Sequence, residues 1–91
     1  MSIVVRFAPA SLTIEQYEAV RRAEEDGGLQ SPDGRDYHVC FGTDGELKVS
    51  EIWDSPEQFE AFVERLMPIL ADVGIDPGEP QVMEVHNITK R

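Results

Sequence analysis

A carboxylate and an indole, two residues apart near the middle of the chain, are the side chains best suited to chemistry. Glu51 and Trp53 alternate with Ser50 and Ile52, so in an extended strand both point to one face of a sheet. A carboxylate beside Trp53 on a core-facing side is expected to be partly desolvated, as proton-transferring carboxylates require. Glu51 is therefore a candidate catalytic residue, and Trp53 is a candidate wall for a flat aromatic ligand.

Each of these residues also has a purely structural explanation. Glu51 could form an ion pair with Arg6 or Lys48, and Trp53 could pack in the core at the end of its strand. The same choice between pocket lining and core packing applies to three further aromatic residues, Tyr17, Tyr37 and Phe62.

The hairpin predicted at residues 43–45 decides which group lies opposite Glu51. A two-residue turn at Asp44-Gly45 would place His38 there, forming an acid/base pair. A three-residue loop with its glycine left-handed would instead place Tyr37 near Glu51 and turn His38 toward the opposite face. We prefer the second register, because it gathers the apolar residues on one face and burial specifies register strongly. His38 remains a second candidate catalytic residue, since imidazole exchanges protons near neutral pH.

A helix should follow directly after Trp53. Ser55 is a good N-cap, Pro56 suits the first helical position, and Gln58 would complete a capping box. An apolar stripe predicts a helix from Pro56 to Asp72, kinked or split at Pro68.

The first half of the chain has the same plan, a strand followed by a capped helix. Thr13 and Gln16 form a second capping box, and the helix that they begin should end at Gly27-Gly28. Four strands are predicted, at Ser2–Ala8, Tyr37–Gly42, Glu46–Trp53 and Gln81–Ile88. The order βαββαβ predicts one α+β domain over residues 1–91, a ferredoxin-like four-stranded antiparallel sheet with both helices on one face.

The first and last strands are apolar on both faces. In the first, Val5 alternates with Val4, and in the last, Val82 alternates with Met83. Since both helices lie on one side, the other face needs a cover. We therefore predict a homodimer.

Composition excludes several classes of function. The net charge of −10 repels phosphate backbones and anionic lipid headgroups, so we expect no nucleic-acid or membrane partner. No apolar stretch approaches the ~20 residues that span a bilayer, and no secretory signal is visible. Cys40 is the only cysteine, which excludes an intramolecular disulfide and suits the reducing cytoplasm. No spacing of His38, His86 and carboxylates demands a metal site.

The segment Glu51-Ile52-Trp53-Asp54-Ser55-Pro56-Glu57-Gln58-Phe59, with this element order and chain length, resembles the dimeric α/β barrel superfamily. Within that superfamily it is similar to the small antibiotic-biosynthesis-monooxygenase-like domains. The resemblance implies that two sheets close into a barrel across a dimer, with a pocket between the sheet and the helices of each subunit.

The functions that this resemblance implies are diverse, and they include cofactor-independent oxygenases, haem-degrading enzymes, isomerases and cyclases. Oxygenases of the family pair the strand Trp with a pocket Asn, whereas the only Asn here is Asn87. The haem-degrading relatives use a His on the second helix, which has none here, so we expect no haem and no other cofactor.

Two functions are therefore expected to compete. One is a homodimer that binds an aromatic or polyketide-like compound and catalyses its oxygenation, isomerisation or cyclisation. The other is a non-enzymatic dimerisation or binding module with a packed interior. An open pocket of ~300 Å³ or more would favour the enzyme, whereas a closed interior with Glu51 paired to Arg6 would count against it.

Overall fold

The strands and helices follow in the order βαββαβ in the computed structural model, which describes residues 1–91. The elements are β1 (Ile3–Phe7), α1 (Ile14–Asp26), β2 (Arg35–Phe41), β3 (Lys48–Trp53), α2 (Pro56–Val73) and β4 (Gln81–Glu84). The sheet order is β2-β3-β1-β4, and every neighbouring pair is antiparallel. The predicted ferredoxin-like arrangement is confirmed. The last strand ends at Glu84, four residues earlier than predicted.

Both helices begin where their caps predict. At Thr13 the capping box with Gln16 is complete. At Ser55 only half of the predicted box forms: the hydroxyl accepts from the Gln58 backbone N–H, while the Gln58 side chain accepts from that hydroxyl. Helix α2 continues without a break through Pro68, because the buried residues on either side of it hold the apolar stripe against the sheet.

The core lies between the helices and one face of the sheet. Trp53 is 0% exposed, and the rings of Phe59 and Phe62 pack against it at centroid distances of 5.7 and 5.2 Å. Burial of one such aromatic side chain contributes roughly 1.5–3 kcal/mol, and each aromatic pair adds roughly 0.5–1.5 kcal/mol. The end of β3 is therefore firmly held.

The register of the β2–β3 hairpin corrects our preferred prediction. His38 pairs with Glu51, and Tyr37 pairs with Ile52 on the opposite face. The backbone N–H of Glu46 donates to the carbonyl of Thr43 at 2.8 Å, as the two-residue alternative requires. The prediction was wrong because it assumed that the apolar residues of β2 must lie under the helices.

The sheet face without helices is also apolar, and we call it the open face. It carries Tyr37, 51% exposed, together with Phe41 and Met83, which are also exposed. Val4 and Ile52 are half-buried there. None of the helices has the length and apolar composition needed to cross a bilayer.

Candidate functional site

Glu51 is the one charged residue buried in the core, with 3% of its surface exposed. Its Oε1 accepts a hydrogen bond from Trp53 Nε1 at 3.0 Å. Its Oε2 accepts from Arg35 Nη1 at 3.2 Å and lies 2.6 Å from His38 Nδ1. The partners of Glu51 are thus Arg35, His38 and Trp53, not Arg6 or Lys48. Three donors compensate the carboxylate for the water that it loses on burial.

A β-bulge brings Arg35 and His38 to the same carboxylate. Residues three apart on a regular strand point to opposite faces. Here the pairing shifts between Arg35 and Tyr37, so Arg35 lies opposite Trp53 and His38 lies opposite Glu51. The extra residue, Asp36, is exposed. Bulges often redirect a side chain in this way beside functional sites.

His38 connects Glu51 to Tyr17 on helix α1. Tyr17 Oη lies 2.7 Å from His38 Nε2, and the two rings are within 13° of parallel. Since Nδ1–H donates to the carboxylate, we assign Nε2 as the nitrogen that carries the lone pair and accepts from the phenol. A hydrogen-bond chain therefore runs from Tyr17 through His38 to Glu51.

Two cavities meet at this hydrogen-bond chain. An inner apolar cavity of about 70 Å³ lies beneath the helices, with Phe7, Val20 and Leu66 among its walls. An outer polar cleft of about 210 Å³ includes Arg21, Gln30 and Arg35 in its walls. Tyr17, Glu24 and His38 line both cavities. Neither cavity reaches the ~300 Å³ at the lower end of usual ligand sites.

Desolvation by burial is the main cause of three raised pKa values, those of Tyr17, Glu24 and Cys40. Burial raises the pKa of Tyr17 to about 12. Burial likewise raises the pKa of Glu24, and the nearby positive charge of Arg35 only partly offsets this. Burial also raises the pKa of the Cys40 thiol, with a smaller contribution from the charge of Glu18.

The remaining predicted residues lie elsewhere. Trp53 is enclosed in the core and does not line the inner cavity. Phe62 packs against Trp53 and does not line the inner cavity, and the Arg35 guanidinium lies 5.5 Å from its ring centre. Tyr37 lies on the open face, so the prediction that it shares a face with Glu51 is wrong. Of the four predicted ligand-binding residues, Tyr17 lines the inner cavity.

Two residues of the site were not predicted, Arg35 and Glu24. Arg35 follows a run of turn residues, and nothing in the sequence shows that a bulge will redirect it toward Glu51. Glu24 belongs to a helix rich in charged residues, so the sequence pattern predicts that each of its carboxylates faces solvent. Its spacing of seven from Tyr17 was the available signal, because that spacing places both on one helix face.

Comparison with known proteins shows similarity in structure alone. No protein-family model matches the sequence, and no curated protein sequence matches it. SnoaB from Streptomyces nogalater, a cofactor-independent oxygenase, is 14% identical with a TM-score of 0.65, over 99% of this chain and 96% of that chain. A monooxygenase from the ActVA-Orf6 gene of Streptomyces coelicolor, in complex with nanaomycin D, is 16% identical with a TM-score of 0.59, over 99% and 91%. A proposed antibiotic biosynthesis monooxygenase from Chloroflexus aurantiacus is 19% identical with a TM-score of 0.64, over 97% of both chains. The chain therefore has the fold of the antibiotic-biosynthesis-monooxygenase-like proteins.

Proposed function

We propose that this protein is a cofactor-independent oxygenase acting on an aromatic or polyketide-like compound that carries an ionisable hydroxyl group. The observation that carries the proposal is the hydrogen-bond chain Tyr17–His38–Glu51 at the boundary of an apolar cavity. The oxygenase fold of SnoaB and the ActVA-Orf6 protein supports the choice of reaction by analogy.

His38 is the proposed general base. Its Nε2 faces both cavities, and its Nδ1–H is fixed by the buried carboxylate of Glu51. When Nε2 accepts a proton, the adjacent negative charge stabilises the imidazolium that forms. Glu51 thus orients and stabilises the base, and Trp53 and Arg35 hold Glu51 in place.

The proposed reaction consumes dioxygen and needs no external reductant. Transfer of the substrate hydroxyl proton to His38 leaves a phenolate whose ring carbon forms a C–O bond with dioxygen. The peroxide takes the proton back from the imidazolium, and its O–O bond breaks as the C–H proton leaves that carbon. The products are a ring carbonyl and water. The electrons that reduce dioxygen come from the ring, and both hydrogens that the ring loses end on water.

We also propose that the active form is a homodimer joined through the open face. Tyr37, Phe41 and Met83 expose apolar surface there, and a monomer has no remaining element to cover it. A second copy of the same sheet would present a matching surface, as two-fold symmetry requires.

A non-enzymatic dimerisation module is the second candidate. The small volume of the inner cavity favours it, because about 70 Å³ is too little for an aromatic ligand.

Oxygen consumption distinguishes the two candidates. Purified protein is mixed with a panel of hydroxylated naphthalenes and anthracenes in an oxygen-electrode cell, and each product is identified by mass spectrometry. The oxygenase predicts substrate-dependent oxygen uptake with one oxygen atom gained by the product, and loss of uptake in His38→Asn. No uptake above the His38→Asn baseline for any compound would favour the module.

A further inference from the structure

The one lone pair with which the His38 ring could accept a substrate proton already accepts a hydrogen bond. His38 Nδ1 faces Glu51, and Nε2 accepts the phenolic O–H of Tyr17 at 2.7 Å. A substrate hydroxyl cannot reach Nε2 while this hydrogen bond is in place. The group that occupies the site is itself a phenol, which is the chemistry that the proposed base would act on.

The Tyr17 side chain also divides the available space. It lines both the inner cavity and the outer cleft, whose volumes are about 70 and 210 Å³. Movement of this one ring away from His38 would join the two spaces and add the volume of the ring itself. The combined space would reach the range of ordinary ligand sites, with an apolar inner end and a polar mouth.

We propose that Tyr17 occupies the position of the substrate, and that an incoming phenol more acidic than tyrosine displaces it from His38. This inference rests on the proposed function, and it specifies the substrate class of the same site. The displaced phenol of Tyr17 would turn out of both spaces into solvent, which supplies its hydrogen-bond partners. The substrate would donate its hydroxyl proton to Nε2 and remain beside the imidazolium as the phenolate.

Acidity explains why Tyr17 can occupy the site without reacting. Burial holds the Tyr17 hydroxyl in its neutral form, with a pKa of about 12. It therefore donates a hydrogen bond to His38 but keeps its proton. A phenol of lower pKa gains the additional attraction between phenolate and imidazolium, which a neutral hydroxyl lacks. Competition at Nε2 would thus exclude alcohols and weakly acidic phenols.

4-Nitrophenol is a suitable probe, because its phenolate absorbs visible light and its neutral form does not. Binding is measured by calorimetry, and ionisation of the bound probe by absorbance, at a pH where the free probe is mostly protonated. Tyr17→Phe keeps the ring but removes the competing hydroxyl. Tyr37→Phe is the matched control, since it removes a tyrosine hydroxyl from the open face. His38→Asn removes the base.

We expect Tyr17→Phe to bind the probe roughly 2- to 12-fold more tightly than the wild type, the net worth of one hydrogen bond. The bound probe should be ionised in the wild type, Tyr17→Phe and Tyr37→Phe, and neutral in His38→Asn. Unchanged or weaker binding by Tyr17→Phe, with ionisation still dependent on His38, would overturn the displacement while leaving the proposed base in place. Absence of binding, or a bound probe that stays neutral in every variant, would overturn the base as well.

Discussion

His38 lies directly across the β2–β3 pair from Glu51, with its Nδ1 atom 2.6 Å from the carboxylate. This contact fixes the ring orientation and directs Nε2 toward the cavities. It joins a buried carboxylate to a group on the cavity wall, although Glu51 itself lines neither cavity.

We predict that Glu51→Gln disrupts this arrangement. The amide has one acceptor oxygen for the three donors Arg35, His38 and Trp53, so at least one buried donor loses its partner. The loss should lower the free energy of unfolding by about 1–3 kcal/mol in urea denaturation. Nitrogen NMR shifts of the His38 ring should show one tautomer in the wild type and a mixture in the variant.

Glu60→Gln, an exposed change on α2, should leave both measurements unchanged. A single unchanged tautomer in Glu51→Gln would contradict the orienting role.

A second prediction concerns the bulge at Asp36. Deletion of this residue should restore regular alternation with Arg35 and His38 two residues apart, so both should still face Glu51. The side chains of Arg35 and Glu51 are 12% and 3% exposed, and breaking such a pair typically costs about 3–5 kcal/mol. Arg35→Ala, which does break it, should therefore be more destabilising than the deletion. Thermal and urea unfolding would measure the loss.

Asp36→Ala is the control for that deletion, because it keeps the bulge and removes only the exposed Asp36–Lys90 ion pair, 3.1 Å in length. Such surface pairs contribute about 0–1 kcal/mol. If the deletion were as destabilising as Arg35→Ala, regular alternation would not be enough to keep Arg35 at Glu51.

The sequence predicts the fold well because its signals are local. Thr13, Ser55 and Pro56 determine where the helices begin, and the alternation around Glu51 predicts its strand and its inward face. The register of β2 was not predictable in the same way. Tyr37 and Phe41 are apolar but lie on the open face, and a pattern of apolar residues cannot tell which of two apolar faces they belong to.

A third prediction concerns pH and Glu24. Burial raises the folded-state pKa of Glu24 above the ordinary 4.5. At pH values between the unfolded-state pKa and the folded-state pKa, the folded protein therefore holds more protons than the unfolded chain. Stability contributed at this position is therefore lost as pH rises through that window. We expect Glu24→Gln to have a higher melting temperature than the wild type at pH 7, with a smaller difference at pH 4. Glu25→Gln, its exposed neighbour, is the control. An equal effect of Glu24→Gln at both pH values would contradict burial as the cause.

The last prediction tests the homodimer. Ile52 lies near the centre of the open face, half-buried between Tyr37 on β2 and Val4 on β1. If two open faces pack together, a carboxylate at this position loses its water in the interface without gaining a partner. We expect light scattering to give twice the 10.2 kDa chain mass for the wild type and a monomer for Ile52→Asp. Ile14→Asp is the matched control, since Ile14 is an isoleucine that begins α1 away from the open face and is exposed. A negative charge at a helix N-terminus is favourable, so this variant should fold and remain dimeric. A wild-type mass of about 10 kDa at micromolar concentration, or monomers from both variants, would show that the open face is not the dimer surface.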